Sequence, residues 1–155
     1  MGLDMYLTGS KFFPNFKVER PVDIDGDQIQ LLEVSLGYWR KFGPLHAYIV
    51  DTFADGLDEC QRIDLEEADL VAIAEAIMFE KLPKDEDSTG CFFGSPEMWA
   101  EDRADKAKHA ATFVAASEWL RSHRLRSLAI ADHLALGLRK QPESQWRSVY
   151  YQASW

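Results

Sequence analysis

The chain begins and ends on strand-like patterns, and most of what lies between them reads as helix; no other feature narrows the fold as far. Near the start, Leu3-Asp4-Met5-Tyr6-Leu7 alternates apolar and polar residues with the period of a half-buried strand. Near the end, Trp146-Arg147-Ser148-Val149-Tyr150-Tyr151 is rich in the aromatic and β-branched residues that favour extended backbone. Paired with each other, the two strands would tie down both termini. The pattern predicts an α+β fold, a small, mostly antiparallel sheet with three or four helices packed on one face. At 155 residues the chain is one domain, 1–155, long enough to bury a core without disulfide or metal staples.

The intervening segments carry start and stop signals. Lys11–Val18 reads as a second, irregular extended segment, and Asp25-Gly26 as a hairpin turn between Val22/Ile24 and Ile29/Leu31. The Asp-rich run around Gly26 lacks the register of an EF-hand, so it is a turn and not a calcium loop. Leu45, Tyr48, Ile49, Thr52 and Phe53 form a helical stripe. Either one helix breaks near Gly43, or a short turn feeds a helix starting at Pro44. Asp64 with Glu67 predicts a capped helix start, followed by the stripe Leu70, Ile73, Ala74 and Ile77, ending before Pro83. Residues 83–89 read as a loop and Gly90–Gly94 as a short buried strand. Ser95 and Pro96 then open a helix whose stripe runs from Trp99 to Leu120. Its alanines, Ala107, Ala110, Ala111, Ala115 and Ala116, indicate close packing on another element. A third long helix follows through Leu125, Leu128, Leu134 and Leu138.

Composition matters chiefly through charge. There are 26 acids against 17 Lys and Arg, a formal charge of −9. The charge divides along the chain: residues 51–105 hold 17 acids and four bases, whereas 106–147 hold eight bases and three acids. Two solvated helix faces of opposite sign can attract each other; alternatively, the acidic stretch can meet a basic protein partner. An acidic middle disfavours general nucleic-acid binding. No apolar run approaches the roughly 18 to 20 residues of a membrane span, so no membrane association is expected. The start lacks the basic and apolar regions of a signal peptide, and the expected location is cytoplasmic.

Among chemical motifs, the phosphate-binding loop, the zinc-protease helix, the nucleophile elbow and the dinucleotide fingerprint are all missing. Cys60 and Cys91 are isolated thiols and the four histidines are scattered, so neither metal nor cofactor is predicted. His109, His123 and His133 fall on Lys- and Arg-rich helical segments and read as surface residues. The densest polar cluster is Tyr38-Trp39-Arg40-Lys41, with His46 downstream. On a helix, Phe42 would lie one turn from His46. Arg40 and Lys41 offer charge to an anion, and Tyr38 and His46 can hydrogen-bond it. The alternative is that Trp39 and Phe42 are core while Arg40 and Lys41 face solvent or pair with local acids. Trp155, an aromatic C-terminus, either tucks into the core or lines a groove with its carboxylate beside a base such as Arg40.

The start Met1-Gly2-Leu3-Asp4-Met5-Tyr6-Leu7, the Tyr38–Lys41 cluster with His46, the segment Cys91-Phe92-Phe93-Gly94-Ser95 and the ending Tyr150-Tyr151-Gln152-Ala153-Ser154-Trp155 resemble an uncharacterised group of small bacteriophage and prophage proteins. The resemblance touches both ends and the middle of the chain and implies an accessory protein, without a defined activity. Two functions are therefore expected. The first is a non-enzymatic factor that engages a host or phage macromolecule through its acidic surface. The second is a binding protein or enzyme that holds a small anionic or nucleotide-like ligand through Tyr38, Trp39, Arg40, Lys41, His46 and Trp155. A homo-oligomeric module is the third possibility.

Overall fold

The computed structural model describes residues 2–12, 31–84, 96–135 and 146–154. Strand β1 (Asp4–Phe12) lies at the centre of a four-stranded antiparallel sheet, between β2 (Leu31–Arg40) and β4 (Trp146–Ser154). The short β3 (Ile63–Leu65) adds to the far side of β4, giving the order β2-β1-β4-β3. The two terminal strands pair as their patterns predict, with Met5 opposite Ala153 and Leu7 opposite Tyr151. Leu3, Met5 and Leu7 are buried with Val149, Tyr151 and Ala153, while Tyr6 and Gln152 point the other way. Alternation thus turns the apolar residues of β1 and β4 towards the core.

Among the described residues the intervening sequence forms four helices: α1 (Gly43–Phe53), α2 (Glu67–Met78), α3 (Pro96–Ala104) and α4 (Lys106–Ala135). All of them contribute buried residues to the one hydrophobic core. Helix α1 reaches it through His46 and Tyr151, α3 through Trp99, whose indole donates to the Lys41 carbonyl, and α4 through Phe113, which stacks on Trp39. The expected α+β layout is the one observed. Glycine permits the closest approach: a Cβ on Gly37 would stand 2.7 Å from Trp39 Cη2 and 2.9 Å from Thr112 Cγ2.

Four local expectations are corrected. Tyr38, Trp39 and Arg40 belong to a strand, not a helix. Lys41, with a left-handed φ of 60°, then turns the chain into α1. Its N–H donates to the Leu3 carbonyl at 2.7 Å, which anchors the turn to the start of β1. Asp64 sits in β3, exposed between buried Ile63 and Leu65, so the α2 cap falls two residues later. There the Glu66 N–H donates to the Asp69 carboxylate at 2.8 Å. The stripe from Trp99 to Leu120 spans two helices, because the Asp105 carbonyl accepts from Lys108 and His109 and begins a new ladder. Leu125, Leu128 and Leu134 continue α4 and do not form a separate helix. The Asp25-Gly26 turn, the extended segment beyond Phe12, residues 85–89 of the loop, the Gly90–Gly94 strand, Ser95, Leu138 and Trp155 lie outside the described residues.

Candidate functional site

The alternation of β2 separates the Tyr38–His46 cluster. Tyr38 and Arg40 lie on the open face of the sheet, beside Asp4 of β1. The Tyr38 hydroxyl donates to Asp4 Oδ1 at 2.6 Å, and that bond raises its pKa. Arg40 Nε stands 3.8 Å from the same oxygen, and the Tyr6 and Tyr38 rings lie 5.4 Å apart. Lys41 is half-buried at the edge, its stem beside Gly2. Trp39 and His46 are on the opposite, helix-covered side. Phe42 and His46 do share a helical turn, since the His46 N–H donates to the Phe42 carbonyl at 3.2 Å. The described members of the cluster therefore form three separate arrangements, not one cleft.

Two of those arrangements are buried polar ties. His46 is 1% exposed, with Nδ1 2.7 Å from the Tyr151 hydroxyl and Nε2 3.0 Å from Asp58 Oδ2. Burial pushes the Tyr151 hydroxyl well above its ordinary pKa, with the Asp58 charge adding to the effect. The hydroxyl thus keeps its proton, and Tyr151, His46 and Asp58 are joined in one hydrogen-bonded chain. A hydroxyl–imidazole–carboxylate chain has the components of a proton relay. Here Tyr151 is as buried as His46, and the chain joins β4, α1 and the segment after α1. In the second tie, the Trp39 indole Nε1–H donates to His109 Nδ1 at 2.8 Å. His109 was expected at the surface but is only 8% exposed, packed against Trp39 and Phe42. The Lys-rich flanks of His109 mark solvent, yet the residue lies four before Phe113, on the buried stripe.

The accessible feature is elsewhere, along the seam of α2 and α4. Arg121 Nε pairs with Glu67 Oε1 at 2.9 Å, and Lys106 Nζ with Glu80 Oε1 at 2.7 Å. These bridges join the acidic middle of the chain to its basic helical segment, as the charge division allows, and show the two helices to be antiparallel. Between them runs a groove of about 750 Å³. Its floor is alanine, from Ala74, Ala107, Ala110 and Ala111, and its walls are the exposed apolar side chains Val71, Met78, Phe79 and Val114. Phe79 is 68% exposed, a high value for an aromatic residue. Glu75 and Glu118 also line the groove, and among the described residues neither makes an ion pair. Of the alanines expected to pack closely on another element, Ala110 and Ala116 are buried, whereas Ala107, Ala111 and Ala115 are exposed along the groove. The rest of the groove was signalled by a second stripe, Val71, Ala74, Glu75 and Met78, displaced one position from the core stripe of α2.

Among the described residues, no group of three or more His, Cys, Asp or Glu side chains is placed to hold a metal, and no helix is long and apolar enough to cross a membrane. No protein-family model, curated protein or solved structure matches the chain.

Proposed function

We propose that the protein is a non-enzymatic accessory protein of phage or prophage type, acting in the cytoplasm. In this reading it docks the basic, amphipathic helix of a partner protein in the α2–α4 groove. The exposed apolar groove between two ion pairs is the observation that carries this reading. A helix laid into such a groove buries its apolar stripe against Val71, Met78, Phe79 and Val114, the usual mode of helix-in-groove recognition. Glu75 and Glu118 select for Lys or Arg on the flanks of that helix and against acidic residues. The excess of acids over residues 51–105 adds long-range attraction for a basic partner.

The test uses two labelled peptides of identical helical pattern, one of Leu and Lys and one of Leu and Glu, titrated by fluorescence anisotropy. The Lys peptide is expected to bind, more weakly at high salt, and to be lost when Ala111→Arg fills the exposed floor with bulk and like charge. Equal binding of the two peptides, or binding that survives Ala111→Arg, contradicts the reading.

A further inference from the structure

A second concavity lies at the other end of the α2–α4 pair, and its lining differs in kind from that of the groove. Just beyond α2, Glu80 takes a left-handed conformation, φ 55°, and the Lys81 N–H donates back to the Ala76 carbonyl at 2.9 Å. This close turn sends the chain through Leu82 and Pro83 to Lys84, opposite the junction of α3 and α4. A cleft of about 450 Å³ is left between them, within the usual range for a small-molecule site. Phe42, Ile77 and Leu82 form a buried apolar floor and Phe79 stands at the side.

Cations are concentrated at this cleft although the surrounding stretch of chain is strongly acidic. Lys84, Arg103 and Lys106 line it, against Glu80 and Asp102, an excess of one positive charge. Lys106 is engaged by Glu80 at 2.7 Å. Arg103 is held in place by one Nη2 hydrogen bond to the Pro83 carbonyl at 3.1 Å, which fixes a planar, forked donor at the cleft wall. Lys84 is exposed beside it.

A buried donor backs the same wall. Because the Trp39 indole can only donate, His109 Nδ1 must accept, and the imidazole proton is on Nε2. That N–H is buried, makes no hydrogen bond among the described residues, and stands 3.5 Å from Asp102 Oδ1. Asp102 in turn lines the cleft. Burial raises the Asp102 pKa and lowers that of His109, while their mutual attraction works against both shifts.

The geometry points to this cleft as a binding site for a small monocarboxylate with a flat apolar body, its ring on the Phe42, Ile77 and Leu82 floor and its carboxylate on Arg103 and Lys84. A single excess positive charge matches a monoanion. A phosphate dianion would face Glu80 with too little compensation. The site is distinct from the α2–α4 groove, with Phe79 at the boundary of both.

The probes are 2-naphthoate, its uncharged analogue 2-naphthamide and inorganic phosphate, titrated calorimetrically into the full chain. Naphthoate is expected to bind about tenfold or more tightly than the amide, as a charge-assisted contact implies. Arg103→Gln is expected to weaken it by a similar factor. The exposed Lys84→Glu variant, which leaves the packed residues untouched, is expected to weaken it as well. Ala111→Arg, in the groove, is expected to leave the affinity unchanged. Equal affinity for naphthoate and the amide, binding of neither, or wild-type affinity in folded Lys84→Glu and Arg103→Gln overturns the proposal. Displacement of naphthoate by phosphate overturns the choice of a carboxylate. Loss of naphthoate binding in Ala111→Arg alone places it in the groove and also overturns the proposal, without bearing on peptide docking.

Discussion

The indole N–H of Trp39 reaches Nδ1 of His109 across 2.8 Å, joining the edge strand β2 to the first turn of α4 inside the core. Both atoms need the other. His109→Leu strips the indole of its acceptor and Trp39→Phe strips the imidazole of its donor, and each is expected to cost about 1–3 kcal/mol. The double variant is expected to cost clearly less than the sum, because the second change removes a group already stranded by the first. Urea unfolding of the four proteins checks this, and additive losses would contradict it.

Acid titration reports on the same corner of the fold. The unfolded chain takes a proton on His109 near its ordinary value of 6.5, whereas burial lowers that value in the folded protein, reinforced by Lys108 and opposed by Asp102 and Asp105. Below about pH 6.5 the unfolded state therefore binds more protons, and stability falls until the lowered folded value is passed. Asp102 acts in the opposite sense. Its raised pKa, due first to burial and also to Glu101 and Asp105, makes its charged form unfavourable in the fold. Its contribution is gained as pH falls through that raised value towards 3.8. His109→Gln, whose amide oxygen can still accept from Trp39, is expected to lose less stability than wild type on going from about pH 7.5 to about pH 5.5. Asp102→Asn is expected to be more stable than wild type at neutral pH. A His109→Gln protein with the full wild-type slope would contradict the assignment.

The His46–Tyr151 contact ties α1 to β4 and is structural in this account. Tyr151→Phe removes one buried hydrogen bond and is expected to lower stability by about 1–2 kcal/mol. It is expected to leave peptide and naphthoate binding unchanged. Loss of either binding activity in the folded variant would show the relay to be part of a site.

Close packing of α4 on the sheet makes a sharper contrast. A Cβ on Gly9 would stand 2.8 Å from Trp119 Cη2 and 3.0 Å from Leu36 Cδ1. The Arg147 guanidinium lies over the Trp119 ring, 4.7 Å from its centre. Gly9→Ala is expected to destabilise by about 1–3 kcal/mol. Gly2→Ala, whose Cβ meets the mobile Lys41 stem at 3.3 Å, is expected to change the thermal midpoint little. Equal effects would contradict the packing described.

The terminal strands were legible because Leu3, Met5 and Leu7, like Val149, Tyr151 and Ala153, put their apolar side chains on one face by simple alternation. Strand β2 hides that signal. A bulge opposite Leu7 and Thr8 inserts Leu36 between the paired Gly37 and Ser35, so the alternation breaks where Tyr38 begins. The helix after Lys41 is real, and its period reads naturally back into the cluster. The capping signal at Asp64 was displaced by β3, a strand of three residues whose sequence separates it poorly from a helix start. Long-range partners were invisible: nothing near Trp39 announces His109, seventy positions away. The groove was half legible, its alanines being evident and its exposed walls requiring the antiparallel pairing of α2 with α4.

If the α2–α4 seam receives a basic amphipathic helix as proposed, methyl NMR reads the contact residue by residue. On titration with the Leu/Lys peptide, the signals of Val71, Ala111, Val114 and Met78 are expected to shift together, while those of Leu3, Met5 and Leu7 in the core remain in place. Shifts confined to residues around the Tyr6–Tyr38 face of the sheet, or no shifts at saturating peptide, would contradict the account.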